Sequence, residues 1–132
     1  SLAVTQIDVG SPPTPQIPPA VGVRLNTAEP NIFFLFADLP NVDNKYTGES
    51  EKIPRTQTTF DRRVKISRIV DESGAAKPLA HIIFIAPEAT LVLTDTAGAT
   101  TLGEKINIEL SSPSGNLKKT VTVRVSGQIS IK

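Results

Sequence analysis

The chain has 132 residues, with 14 basic and 13 acidic side chains and no Cys, Met or Trp. This length suits one domain with a single core, so we take residues 1–132 as one β domain. The near balance of charge creates no overall field that would require nucleic acid or an anionic membrane as a partner. Without Cys the chain has neither disulfides nor thiolate metal sites.

The N-terminal third predicts short strands joined by turns. Residues 2–9 are rich in β-branched side chains and indicate a strand. Residues 10–19 hold five of the eleven prolines, and because proline removes a ladder donor, we expect a connecting loop outside the sheets. A PxxP ligand is the alternative for this segment. Residues 21–25 alternate, and residues 33–36 form a Phe-rich run typical of a buried central strand, so the two predict a hairpin.

The rest of the chain continues the same pattern. Val64, Ile66 and Ile69 define another strand, with Arg63, Lys65 and Ser67 pointing outward. The apolar run at residues 81–85 predicts a strand buried on both faces. Further strands are indicated at residues 91–93, 105–110, 121–125 and 128–132. With eight or nine strands and no amphipathic helix, the sequence predicts a mostly β, two-sheet, mainly antiparallel domain.

The residues that enzymes use for catalysis are scarce. A nucleophilic triad would need His81, the only histidine, and this residue opens an apolar strand, where a structural histidine is the better interpretation. A zinc site needs three or four N, S or O ligands, and a single histidine without cysteine argues against one. No glycine-rich phosphate loop or nucleophile elbow is present. We therefore predict that the protein is not an enzyme.

The polar loop of residues 38–51 carries the oxygen donors that calcium prefers. Counting twelve positions from Asp38, as in an EF-hand loop, places Glu49 at the last ligand position, whereas Pro40 and Tyr46 fall where ligands are needed. A solvated loop without metal is the alternative, and we predict no other cofactor. The candidate metal ligands are Asp38, Asn41, Asp43 and Glu49.

Basic side chains cluster in two parts of the sequence, at residues 62–68 and 118–132. Alternation places Lys65 with Arg63, and Lys118 with Arg124, on outward strand faces, where a phosphate backbone could bind. Few aromatic residues interleave, so base stacking is not indicated. The candidate nucleic-acid-binding residues are Arg62, Arg63, Lys65, Lys118, Lys119 and Arg124. A solvated strand face is the alternative.

The order of several motifs resembles the globular domain of type IV pilin-like proteins, closest to the H-type minor pseudopilins of type II secretion and related minor pilins. The motifs are GVRL at residues 22–25, FLFAD at 34–38, the loop ending YTGE at 46–49, and the tail from residue 118 to residue 131. In that family a strand ending in FADxN leads into a loop of the form NxxYDxGE. This chain has Pro40 and Thr47 where the family often has Asn and Asp, which puts family-like metal binding in doubt.

The resemblance implies a structural subunit of an extracellular type IV pilus or type II secretion pseudopilus. It implies partners among other pilin or pseudopilin subunits, and a cell-surface location after anchoring in the cytoplasmic membrane. The chain starts at Ser1, so we expect a processed or trimmed product whose hydrophobic N-terminal helix, the only part that would meet a membrane, is missing. Where this helix would have packed, an apolar strip should remain partly uncovered, lined by residues such as Val4, Ile7 or Val23. A DNA-binding or adhesive surface module is the alternative function.

Overall fold

Antiparallel β-sheets make up the fold in a computed structural model that describes residues 6–38, 43–85 and 90–132. No helix occurs in this part of the chain, and hence none long and apolar enough to cross a membrane. The strands are β1 (Ile7–Val9), β2 (Thr14–Gln16), β3 (Ala20–Asn26), β4 (Ile32–Ala37), β5 (Thr58–Thr59), β6 (Lys65–Val70), β7 (Ala76–Lys77), β8 (Leu79–Ile85), β9 (Thr90–Thr94), β10 (Lys105–Ser111), β11 (Lys118–Arg124) and β12 (Ile129–Ile131).

Two five-stranded sheets carry most of these strands. The front sheet has the order β5-β4-β3-β8-β9, and the back sheet has the order β12-β11-β10-β6-β7. Neighbouring strands pair antiparallel throughout. The predicted mostly β, antiparallel class is therefore confirmed, including the hairpin in which Val23 of β3 lies opposite Leu35 of β4.

The main core lies between the two sheets. Leu25 and Leu93 of the front sheet pack in one cluster with Ile69, Ile106 and Val123 of the back sheet, all of them buried. Side chains on one face of a strand are two residues apart, so this core takes alternate positions from each strand. Burial of these branched side chains supplies the main driving force for folding.

A second apolar cluster covers the opposite face of the front sheet. Phe34 and Phe36 point to this face, away from the main core, and pack with Ile83. Tyr46, from the loop after β4, places its ring against both phenylalanines with centroids 4.9 and 5.6 Å away. The prediction that residues 81–85 are buried on both faces is therefore confirmed only in part. Ile83 is buried in this second cluster, whereas on the opposite face Ile82 is partly buried against the main core and Phe84 is 39% exposed.

A β-bulge in β6 explains the irregular spacing of its apolar residues. Ile66 pairs with Leu110 and Arg68 with Glu109, so Ser67 is the extra residue on this strand. The bulge lets Ile66 and Ile69, three residues apart, both face the main core. An extra residue of this kind shifts the alternation by one position.

The proline-rich segment differs from its prediction in one respect. We expected residues 10–19 to lie outside any sheet, but Thr14–Gln16 forms β2 and pairs with β1 in a two-stranded ribbon. Pro15 is tolerated there because the ribbon has only two strands, so the side of β2 away from β1 has no ladder partner that would need a donor.

An apolar strip is exposed at the edge of the back sheet. Ile129 and Ile131 pair with Val123 and Val121 and so share the core-facing side of that sheet, yet they are 65% and 70% exposed. We call these two residues the β12 strip. Of the residues named for the expected strip, Ile7 and Val23 are half-buried, Val23 against the main core, and Val4 lies outside the described residues.

Candidate functional site

The polar loop after β4 folds back onto the front sheet instead of projecting into solvent. Asp38 is fully buried, and its carboxylate accepts hydrogen bonds from the backbone N–H groups of Asp43 and Asn44, at 3.1 and 2.6 Å. Glu51 is also buried and accepts a hydrogen bond from Thr47 N–H. Each carboxylate thus pairs with backbone N–H groups of the loop that would otherwise be left without a partner. These hydrogen bonds hold the loop closed.

Three carboxylates converge inside this loop. One oxygen each from Asp38, Asp43 and Glu51 lies within 4.8 Å of the other two. Of the predicted metal ligands, the structure brings Asp38 and Asp43 together, leaves Glu49 exposed outside the group, and does not describe Asn41. Counting twelve positions from Asp38 missed Glu51 because the turn at residues 48–51, closed by Glu51 N–H to Gly48 O, directs this side chain inward.

The convergence changes the protonation of Asp38. Its pKa is raised to about 7, chiefly by burial and next by a side-chain hydrogen bond with Asp43, while the backbone N–H groups of Asp43 and Asn44 act to lower it. Crowded carboxylates of this kind hold a proton between them or accept a cation. Oxygen ligands suit calcium, which takes six to eight of them, so these three residues would supply only part of a coordination shell.

His81 has a structural role beside this loop. Its Nε2 accepts a hydrogen bond from Tyr46 N–H at 3.2 Å, so Nδ1 carries the proton and donates to the Asp95 carbonyl at 3.1 Å. Burial lowers the pKa of His81 to about 4. The neutral ring is thus fixed in one tautomer and anchors the loop to the front sheet, as expected for a structural histidine.

Basic side chains share the outer face of the back sheet. Residues opposite each other in an antiparallel pair lie on the same face. Two rows of such opposed residues cross the sheet: one contains Lys65, Ser111 and Lys118, and the other contains Lys105 and Arg124. Arg68 lies opposite Glu109, and Lys132 pairs with Thr120 by two backbone hydrogen bonds. We call this set the basic face: Lys65, Arg68, Lys105, Lys118, Arg124 and Lys132.

The basic face contains half of the predicted nucleic-acid-binding residues. Lys119 pairs with Leu110 and so points to the opposite side of the sheet. Arg62 and Arg63 lie in the turn before β6, and Arg63 is held by Asp61 through Nε and Nη2, at 3.0 and 3.1 Å. Lys105 was missed, although its outward position in an alternating strand is the signal that could have identified it.

Comparison with known proteins returned no relative: no protein-family model matches the chain, and neither a curated protein nor a solved structure matches it.

Proposed function

We propose that this chain is the β-rich head domain of a filament subunit of the type IV pilin or type II secretion pseudopilin kind. In such a subunit an apolar helix builds the filament and the β domain decorates it. A head domain of this kind needs a stable fold and one apolar contact surface, and it needs no catalytic centre. The resemblance of the motifs at residues 22–49 and 118–131 is the reason for naming this class of filament.

The β12 strip is the observation that carries the proposal. Ile129 and Ile131 stand on the side of the back sheet that forms the core elsewhere, but no element in the described part of the chain covers them. Leu117, in the turn just before β11, is a further large apolar side chain that is exposed, at 74%. Large apolar side chains grouped on a surface mark interaction sites. The apolar helix of the assembled subunit would pack there.

The buried polar groups of the described residues support a structural role. Asp38 and His81 are tied to backbone groups of the loop that they anchor. Thr94 donates from its hydroxyl to the Asn44 carbonyl of the same loop. These side chains satisfy the fold's own donors and acceptors, which is what a rigid surface domain requires.

Thiol labelling tests the proposal, because the chain has no cysteine of its own. Ile131→Cys places one thiol in the β12 strip, and Ser114→Cys places one in an exposed turn as the control. In the isolated 132-residue chain, a maleimide should label both variants quickly. In the protein as its own cells assemble it, labelling of Ile131→Cys should slow at least about tenfold, while Ser114→Cys should stay reactive.

Two results would overturn the proposal. The first is equal labelling of Ile131→Cys in the isolated chain and in the protein from its own cells. The second is a natural gene that begins with a plain secretory signal, where we expect a short basic leader followed by about twenty apolar residues.

A further inference from the structure

The basic face concentrates positive charge in a chain that is nearly neutral. The whole sequence has 14 basic and 13 acidic side chains. Six basic residues point outward on this face, and Glu109 is the one acidic residue at the outward positions of the described back-sheet strands. The rest of the chain therefore has eight basic and twelve acidic residues, so the molecule is strongly polarised.

Most of these cations are free of acidic partners. Among the described residues, Lys118 has the one ion pair of the face, a loose contact of 3.7 Å with Glu109. Glu109 also accepts a hydrogen bond from Ser67, which further occupies its carboxylate. The five other cations make no ion pair in the described part of the chain. Their charge is available to an external anion.

The row of Lys65, Ser111 and Lys118 contains a second sign of an anion ligand. Ser111 is only 4% exposed, and its hydroxyl has no hydrogen-bond partner among the described residues. A buried hydroxyl without a partner costs free energy, because it has lost its hydrogen bonds to water without replacing them. A phosphate oxygen held between Lys65 and Lys118 would accept a hydrogen bond from this hydroxyl once the two lysine side chains moved apart.

The remaining side chains of the face indicate which anion fits. Small polar side chains occupy outward positions between the cations; they are Asn107, Thr120, Thr122 and Ser130. The outward positions of these strands carry no aromatic ring on which an unpaired base could stack, which argues against single strands. They carry no large apolar side chain except Val70, which argues against insertion into a lipid surface.

We propose that the basic face binds the phosphate backbone of duplex DNA without reading its base sequence. Four adjacent strands, about 4.8 Å apart, present the cations over roughly 15 to 20 Å, which is comparable to the width of a duplex. Backbone contacts by Lys and Arg supply affinity and position, whereas specificity would need groups that reach base edges. This activity goes beyond the filament role and does not depend on it.

Fluorescence anisotropy with a labelled duplex of about 20 base pairs tests the inference, using the isolated chain at several salt concentrations. Affinity should fall steeply with salt. A plot of the logarithm of the binding constant against the logarithm of the salt concentration should have a slope of about −0.9 for each phosphate contacted. The triple variant Lys65→Gln, Lys118→Gln, Arg124→Gln should bind at least about tenfold more weakly at low salt. Its slope should be smaller by about 2 to 3.

A control of equal net charge separates this face from general attraction. Lys45→Gln, Arg62→Gln, Lys119→Gln removes three cations that lie elsewhere and should bind nearly as wild type. Equal losses in the two triple variants would overturn the inference, as would no binding at about 20 mM salt. Equally tight binding to polyglutamate or to vesicles of anionic lipid would overturn the assignment to DNA. Circular dichroism melts of both variants should match wild type, and a variant that melts earlier would be replaced by single substitutions from the same set.

Discussion

Asp38 couples the folding of the polar loop to pH. Its pKa is raised by burial from 3.8 to about 7, so between these values the folded protein binds a proton that the unfolded chain releases. The stabilisation is complete below about pH 3.8 and is lost as the pH rises through 7. His81, with its pKa lowered to about 4, acts in the opposite direction, because the unfolded chain takes up its proton below about pH 6.5.

Asp38→Asn isolates the carboxylate's contribution, because the amide cannot ionise. The free energy of unfolding of this variant, relative to wild type, should rise between pH 4 and 7 by at most about 1.4 kcal/mol per pH unit. It should level off above pH 7. Urea denaturation at a series of pH values measures the difference, with Glu49→Gln, which removes an exposed carboxylate outside the buried cluster, as the control. A difference for Asp38→Asn that does not change with pH would contradict the assigned protonation.

Calcium gives a second test of the same residues. If Asp38, Asp43 and Glu51 hold a divalent cation, excess calcium should raise the melting temperature above that in chelator, because the ion binds the folded state. Asp38→Asn and Glu51→Gln should each abolish the increase, whereas Glu49→Gln should keep it. Identical melting curves of the wild type in calcium and in chelator would leave the cluster a purely structural, proton-sharing group.

At the scale of elements, the bulge in β6 predicts an unusual tolerance to deletion. Removing Ser67 joins Ile66 to Arg68 and restores simple alternation, so both isoleucines still face the core. We expect a loss of about 1 kcal/mol, for the hydrogen bonds of the Ser67 hydroxyl to Glu109.

Deleting Thr122 from the regular strand β11 is the matched control. It reverses the alternation of Val121 and Val123, so one valine of the core must face outward. This deletion should cost more than about 3 kcal/mol or unfold the protein. Urea denaturation compares the two, and equal damage from both deletions would contradict the assigned register.

The strands were predictable from the sequence to the extent that their side chains alternate. Lys105 to Leu110 follow that rule, and both their strand and their faces were anticipated. The Phe-rich run was recognised as a strand because it is continuously apolar, a pattern that does not say which side chains face the main core. Ser67 and Glu51 were not, because a bulge and a turn reverse side-chain direction without a local signal in the residues themselves. The position of Lys119 shows the same limit. Its charge suggested membership of a basic patch, but its register with Leu110 places it on the other side.

At the scale of the whole molecule, the 132-residue chain should fold alone and remain monomeric. The β12 strip is short, and pairing two such edges would bury far less than the roughly 1,200 Å² of a stable interface. Sedimentation over a wide concentration range should show one species of 14.1 kDa. Ile129→Thr with Ile131→Thr should leave stability within about 0.5 kcal/mol of wild type, because both side chains are already exposed. Spontaneous filaments of the isolated chain would contradict the proposed division of roles.

The position of Tyr46 makes the protein its own optical reporter. It is the single tyrosine of a chain without tryptophan, and its ring lies between Phe34, Phe36 and the Arg24 guanidinium. Ultraviolet emission from the native protein therefore comes mainly from one ring in the loop that covers the front sheet. Opening of that loop would change the emission before circular dichroism registers any loss of the strands, so the two signals would separate movement of the loop from unfolding of the sheets.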